Sequence, residues 1–182
     1  MLIDSHAHIN YGDKIDTNSV IENMKSDGLE YIVTIGTGVH ESREAVTLAN
    51  SNKNIYATVG IHPEHIEELK SQAILEIEEL AKNPKVVAIG EIGLDYHYEG
   101  YDKEKQAELF IKQLEIAEKL DLPVCIHTRD AVEDTYEILL KHCEKLKRKG
   151  VMHCFSENAY WAKKFLDLGF YISFMSILLP CI

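Results

Sequence analysis

The sequence predicts an α/β chain folded as a TIM-type β/α barrel that is incomplete, with about seven of its eight β/α units present. Three observations lead there. Short apolar runs rich in β-branched residues alternate with longer segments of helical periodicity, the pattern of β-α-β units around a parallel sheet. Four of those runs are almost continuously apolar, as strands covered on both faces must be. The runs also recur at intervals averaging about 28 residues, so an eighth would begin near residue 198, past the last residue of the chain. An open doubly wound sheet is the alternative architecture.

Taken in order, the first strand is expected over Leu2 to His6, followed by a helix over Thr17 to Asp27 that Gly28 stops. A strand over Tyr31 to Ile35 precedes a helix over Glu41 to Ser51, and a strand over Ile55 to Gly60 precedes one over Gln72 to Lys82, before Pro84. The fourth strand is expected over Val86 to Gly90. After Asp102, residues Ala107, Phe110, Ile111, Leu114 and Ala117 form an apolar stripe at helical spacing. A strand over Pro123 to His127 leads to a second stripe, Val132, Tyr136, Leu139, Leu140 and Cys143. The last units are a strand over Gly150 to His153, a stripe of Trp161, Phe165 and Leu168, and a strand over Phe170 to Ser173. No linker or low-complexity stretch interrupts residues 1–182, so one domain is expected. Its final residues, SILLPCI, have no polar cap and little helical pattern, so the domain is expected to be C-terminally truncated.

Composition narrows the function classes. Lys and Arg total 19 against 30 for Asp and Glu, a net charge of -11, so no broad basic surface exists to grip a polyanion and any nucleic acid contact must be local. Cys125, Cys143, Cys154 and Cys181 form no C-x-x-C pair, which fits reduced thiols rather than disulfides. No signal peptide or run of about 18 apolar residues is present, and a soluble, cytoplasmic protein with no membrane partner is expected.

In barrels the reactive residues collect at the C-terminal ends of the strands. Here five such ends carry His or Glu. His6 and His8 lie two apart, and in extended chain both imidazoles face the same way, as chelation of one ion requires. His127 and His153 come from neighbouring strand ends, and Glu91, between Gly90 and Gly93, can bridge two ions through its two oxygens. Nitrogen and oxygen ligands without thiolate favour two divalent ions, Zn, Mg or Mn, over Ca. A pair about 3.5 to 4 Å apart suits phosphodiester hydrolysis, and would place a small positive centre in an acidic protein.

Around that centre, Arg129, just before a helix, is a candidate phosphate contact, and His62 a proton donor or substrate contact that does not bind metal. Asp95 and Tyr96 are placed on a loop beside Glu91, where a supporting or substrate-binding role is possible. The segment from Thr34 to Gly38 is either an anion-binding nest or a glycine turn into the next helix. Cys125 should point inward beneath the mouth as a small hydrophobe. His142, in a charged helix, reads as solvated, and His40, His65 and His97 as loop histidines lacking a partner pattern.

At these residues the chain resembles the TatD-like metal-dependent hydrolases, a branch of the amidohydrolase superfamily that includes deoxyribonucleases. DSHAHI, GIHP, GEIGLDY, PVCIHTRDA and GVMHCFS stand in family order from Met1 to about Phe174. The resemblance implies a distorted β/α barrel that cleaves phosphodiesters in DNA, often from the 3' end. It implies that His6, His8 and Glu91 hold one ion, and Glu91, His127 and His153 the other. Two departures stand out: the family's E-T-D motif of the last strand is missing, and Glu157 stands where Gly usually follows HCFS. Three functions follow as expectations. The first is a metal-dependent deoxyribonuclease acting on DNA ends, with Glu91, His62 and Arg129 in catalytic roles. The others are an amide, ester or D-aminoacyl-tRNA deacylase on the same ions, and a catalytically impaired metal-binding remnant. Without an eighth strand, self-association through the open barrel edge is also expected.

Overall fold

The computed structural model describes residues 2–10 and 15–174. Seven strands, β1 (Leu2–Ala7), β2 (Leu29–Thr34), β3 (Ile55–Val59), β4 (Val86–Asp95), β5 (Val124–Arg129), β6 (Gly150–Met152) and β7 (Tyr171–Ile172), pair in parallel in the order of the chain. Strict sequential order excludes the doubly wound alternative, whose sheet reverses direction midway. The sheet curls into an incomplete β/α barrel. The closing SILLPCI segment and Cys181 lie outside the described residues.

Six α-helices alternate with the strands: α1 (Thr17–Asn23), α2 (Val39–Ser51), α3 (Ser71–Leu80), α4 (Lys103–Leu120), α5 (Val132–His142) and α6 (Ala159–Asp167). Three of them begin at a side-chain cap for their free amides. Asp16, Asp102 and Asn158 accept backbone N–H groups at the starts of α1, α4 and α6. Helix α4 ends at Asp121, whose left-handed φ of 55° turns the chain toward β5. Apolar stripes face inward: Leu109, Phe110, Leu114 and Ala117 of α4, Leu139 of α5 and Phe165 of α6 are buried in one core with the strand residues Ile55, Ile89, Ile92 and Ile126.

Element boundaries differ from the expectation in two instructive places. Strand β4 does not stop at Gly90 but runs on to Asp95, so Glu91 lies within a strand and Asp95 ends it rather than lying on a loop. A short 3₁₀ helix, Pro63–Glu68, follows β3 where no helix was expected. At the edges, among the described residues, β1 and β7 each pair on one side only, and large apolar side chains are left in solvent there: Leu2 is 60% exposed and Tyr171 75%.

Candidate metal centre

Strand alternation sets the site. Asp4, His6 and His8 share one face of β1 and its extension, Glu91 and Asp95 one face of β4, and Cys125, His127 and Arg129 one face of β5. Two glycines let β4 bring its carboxylates against β5. A Cβ on Gly90 would lie 2.5 Å from the Cβ of Cys125, and one on Gly93, whose φ is 144°, 2.0 Å from the His127 carbonyl oxygen. No side chain fits at either position.

Glu91 is buried, and its two oxygens face different imidazoles. Oε2 lies 3.4 Å from His6 Nε2 and 3.8 Å from His8 Nε2, and those two nitrogens are 3.2 Å apart. Oε1 lies 3.2 Å from His127 Nδ1, while the other ring nitrogen of His127 is 2.8 Å from Asp95 Oδ2. The ligand atoms of His6, His8 and Glu91 lie within 4.8 Å of one another, and so do those of His62, Glu91 and His127. His153 lines the same cleft as Glu91 and His127, close enough to feel the charge of both. Its ring stacks on His6 with centroids 3.3 Å apart and planes 4° apart, and its backbone N–H donates to the Ile126 carbonyl.

The electrostatics match neutral nitrogen ligands around one shared anion. Burial pushes His62 and His153 down to about 4, helped by neighbouring imidazoles, and burial likewise lowers His8. For Glu91, burial opposes the charge, but the pairings with His127 and His6 outweigh it and hold the carboxyl well below its ordinary range. His127 is the exception among the imidazoles. Burial opposes its charge, yet hydrogen bonds with Asp95 and Glu91 raise it to about 9. Four imidazoles, those of His6, His8, His62 and His127, gather around one buried carboxylate that, among the described residues, pairs with neither Lys nor Arg, a donor set that fits divalent ions.

His8, His62, Glu91, Asp95, His127 and His153 line a cleft of about 360 Å³ together with Thr37, Glu64, His65, Tyr98, Arg129 and Cys154. Arg129 lies at the rim, its guanidinium 5.3 Å from the ring centre of Tyr98. His62 lies deeper, with its ring centre 4.4 Å from that of His127. Burial and the neighbouring His127 imidazole hold His62 down to about 4, which leaves its ring neutral at pH 7. Tyr96 is not in the cleft. Because β4 continues through Asp95, alternation sends Tyr96 to the opposite face, where it donates to Asp134 at 2.9 Å and stacks on Tyr101. Tyr98, two residues on and 56% exposed, reaches the cleft in its place. Tyr98 went unnoticed because nothing in the spacing shows where the chain leaves the sheet.

The remaining candidates resolve simply. Cys125 sits beneath the mouth with Sγ 3.4 Å from His6 Nδ1, and burial together with the charge of Glu91 raises its thiol, keeping it protonated. The Thr34 to Gly38 segment is a turn into α2: Gly36 donates to the Thr58 carbonyl at 3.2 Å and so is not available to an anion. His142 is not solvated. Its Nδ1 lies 2.6 Å from Glu118 and only 12% of the side chain is exposed. His97 has a partner too, Asp130 Oδ2 at 2.8 Å. Cys125, Cys143 and Cys154 are free thiols. Among the described residues, no helix is long and apolar enough to cross a membrane.

Comparison with known proteins accounts for this arrangement. The model of the family described as TatD related DNase matches residues 3–180. The chain is 38% identical over 176 residues to the uncharacterized metal-dependent hydrolase YabD of Bacillus subtilis, covering 96% of this chain and 68% of that one. It is 35% identical over 158 residues to the 3'-5' ssDNA/RNA exonuclease TatD of Erwinia tasmaniensis, covering 86% of this chain and 61% of that one. The crystal structure of YJJV, a TatD homolog from Escherichia coli K12, superposes with a TM-score of 0.86 at 30% identity, over 94% of this chain and 66% of the other. The chain thus spans about two thirds of the length of these relatives. With the family model spanning nearly every residue and the histidines and glutamate of its motifs gathered in one cleft, the chain belongs to the TatD-related family of metal-dependent hydrolases.

Proposed function

We propose that this chain carries the metal-binding part of a deoxyribonuclease that hydrolyses phosphodiester bonds at DNA ends, in the 3' to 5' direction, with two divalent ions. The observation that carries the reading is the division of the Glu91 carboxylate, one oxygen toward His6 and His8 and the other toward His127. A single carboxylate serving two imidazole groups is how a protein holds two cations close together. The exonuclease named among the relatives adds the substrate class and polarity.

His6, His8 and Glu91 would hold one ion. Glu91 and His127 would hold the other, with His62 and His153 as the remaining imidazoles. Such ions supply Lewis acidity and an activated water at neutral pH. The chain's own residues do the rest. Asp95 fixes the ring orientation of His127 through its 2.8 Å contact, as a carboxylate behind a ligating imidazole does. Arg129, at the rim with Nη1 3.4 Å from the Tyr98 hydroxyl, presents a planar donor fork suited to a phosphate. Its single charge gives the local cationic contact that a chain of net charge -11 otherwise lacks.

The test is cleavage of 3'-labelled single-stranded DNA with Mg²⁺, Mn²⁺ or Zn²⁺, alongside Glu91→Gln. The proposal expects divalent-dependent trimming from the 3' end, reduced at least about 100-fold in the variant. Bound ions without turnover would point to an impaired metal-binding remnant, and faster cleavage of esters or amides than of DNA to a carbonyl hydrolase. Either result overturns the nuclease reading.

A further inference from the structure

Where β3 and β4 part to open the mouth, their backbones lose each other. The paired register ends at Val59 with Ile89, and beyond it the Glu91 N–H reaches past β3 to the Gly36 carbonyl at 2.9 Å. Ile61, past the end of β3, and Asp95, at the end of β4 where only β5 still runs alongside, both take side-chain partners for their buried peptide groups. Two glutamines of α4 serve them. Gln113 Oε1 accepts the Ile61 N–H at 2.7 Å and its Nε2 donates to the Ile61 carbonyl at 2.9 Å. Gln106 does the same for Asp95, at 2.8 and 2.7 Å. Both side chains are buried. Seven residues apart, they lie on one face of the helix, about 10 Å from each other along its axis.

A primary amide carries one donor face and one acceptor face, so each glutamine stands in for a missing strand residue. The peptide groups they clasp adjoin the site: Ile61 directly precedes His62, and Asp95 carries the carboxylate that holds His127. From this we infer that Gln106 and Gln113 are positioning residues for the half of the metal centre formed by His62, Glu91 and His127, with α4 serving as the ruler between them. His6 and His8, on β1 and its extension, are untouched by either glutamine. The inference rests on the two-ion reading above, and it makes that centre asymmetric: one half is braced by its own strand, the other by a helix outside the barrel.

Gln106→Met and Gln113→Met fill the same space without a donor or acceptor. A buried N–H and carbonyl do not stay unpaired, so the segment moves, and His62 or Asp95 moves with it. Titration calorimetry with Zn²⁺ or Mn²⁺ alone, well below the unfolding temperature, is expected to resolve two binding events. Each variant should weaken one of them by roughly 10- to 100-fold and leave the other unchanged. Ile77→Ala in α3, away from the cleft, provides a comparably destabilised control that should change neither. Unchanged affinities, or equal weakening of both, would overturn the inference in favour of a purely structural role. If the parent protein binds no divalent ion, the metal reading itself fails, and crystal structures of the two variants still decide. Displacement of the His62 ring from His127 in Gln113→Met, or of the Asp95 carboxyl in Gln106→Met, supports positioning, while unmoved side chains overturn it.

Discussion

At Glu91 and its imidazoles, protonation works in two opposing directions, and this gives the metal-free protein a distinctive stability profile. His62 and His153 have folded values of about 4 against an ordinary 6.5, so the unfolded chain binds more protons between those limits and stability rises with pH there. His127 is the reverse. Its folded value of about 9 stabilises the protein fully below pH 6.5, and the contribution fades as pH climbs toward 9. Urea denaturation in chelator should therefore show a maximum near pH 6.5, and His127→Gln should remove the alkaline decline while keeping the acidic one. Much of this cluster was legible in the sequence, because the spacing of His6 and His8 and the residues flanking Glu91 and His127 set their direction on a strand. Tyr96 and His62 were harder. The first depends on how far β4 runs, and the second on how deeply the cleft buries its ring, which a lone histidine does not reveal.

Among the elements, the helices with regular apolar stripes were the plainest to read; α4, α5 and α6 follow the periodicities of their residues. Strand β4 was read short because Gly90 and Gly93 look like turn signals, whereas their bare Cα atoms serve close packing on β5. The 3₁₀ helix Pro63–Glu68 is too short to display a period at all. Another feature outside any pattern is Lys85, just before β4. Its Nζ donates to the carbonyls of Asn52, Lys53 and Ile55 at 2.9, 2.9 and 3.0 Å, tying the C-terminal end of α2 to the start of β3. Lys85→Met keeps most of the apolar stem but leaves these carbonyls without their donor. The expected loss is on the order of 2 kcal/mol in urea unfolding, with metal affinity unchanged because the residue lies at the far end of the strands.

For the molecule as a whole, the sequential parallel sheet leaves β1 and β7 as its margins among the described residues. Leu2, Ile3, Tyr171 and Phe174 are exposed along them. Strand margins of this kind recruit further strands. Chains of residues 1–182 are therefore predicted to associate as concentration rises in sedimentation velocity, and Ile3→Lys together with Tyr171→Lys should return them to monomers. Retained association in that double variant would place the contact elsewhere. The sheet order was readable in advance because alternating short strands and helices admit few parallel topologies. The bareness of the margins is a property of which residues meet in space, and periodicity does not report it.

The stacked rings of His6 and His153 carry one last implication. His6 is on the margin strand β1 and His153 follows β6, five strands further along the sheet, yet their rings lie 3.3 Å apart. The curl of the sheet has already brought these two strands together at the top. Any segment that seals the seam enters a slot whose calibre is set beforehand, and its task is to fit that slot rather than to shape it.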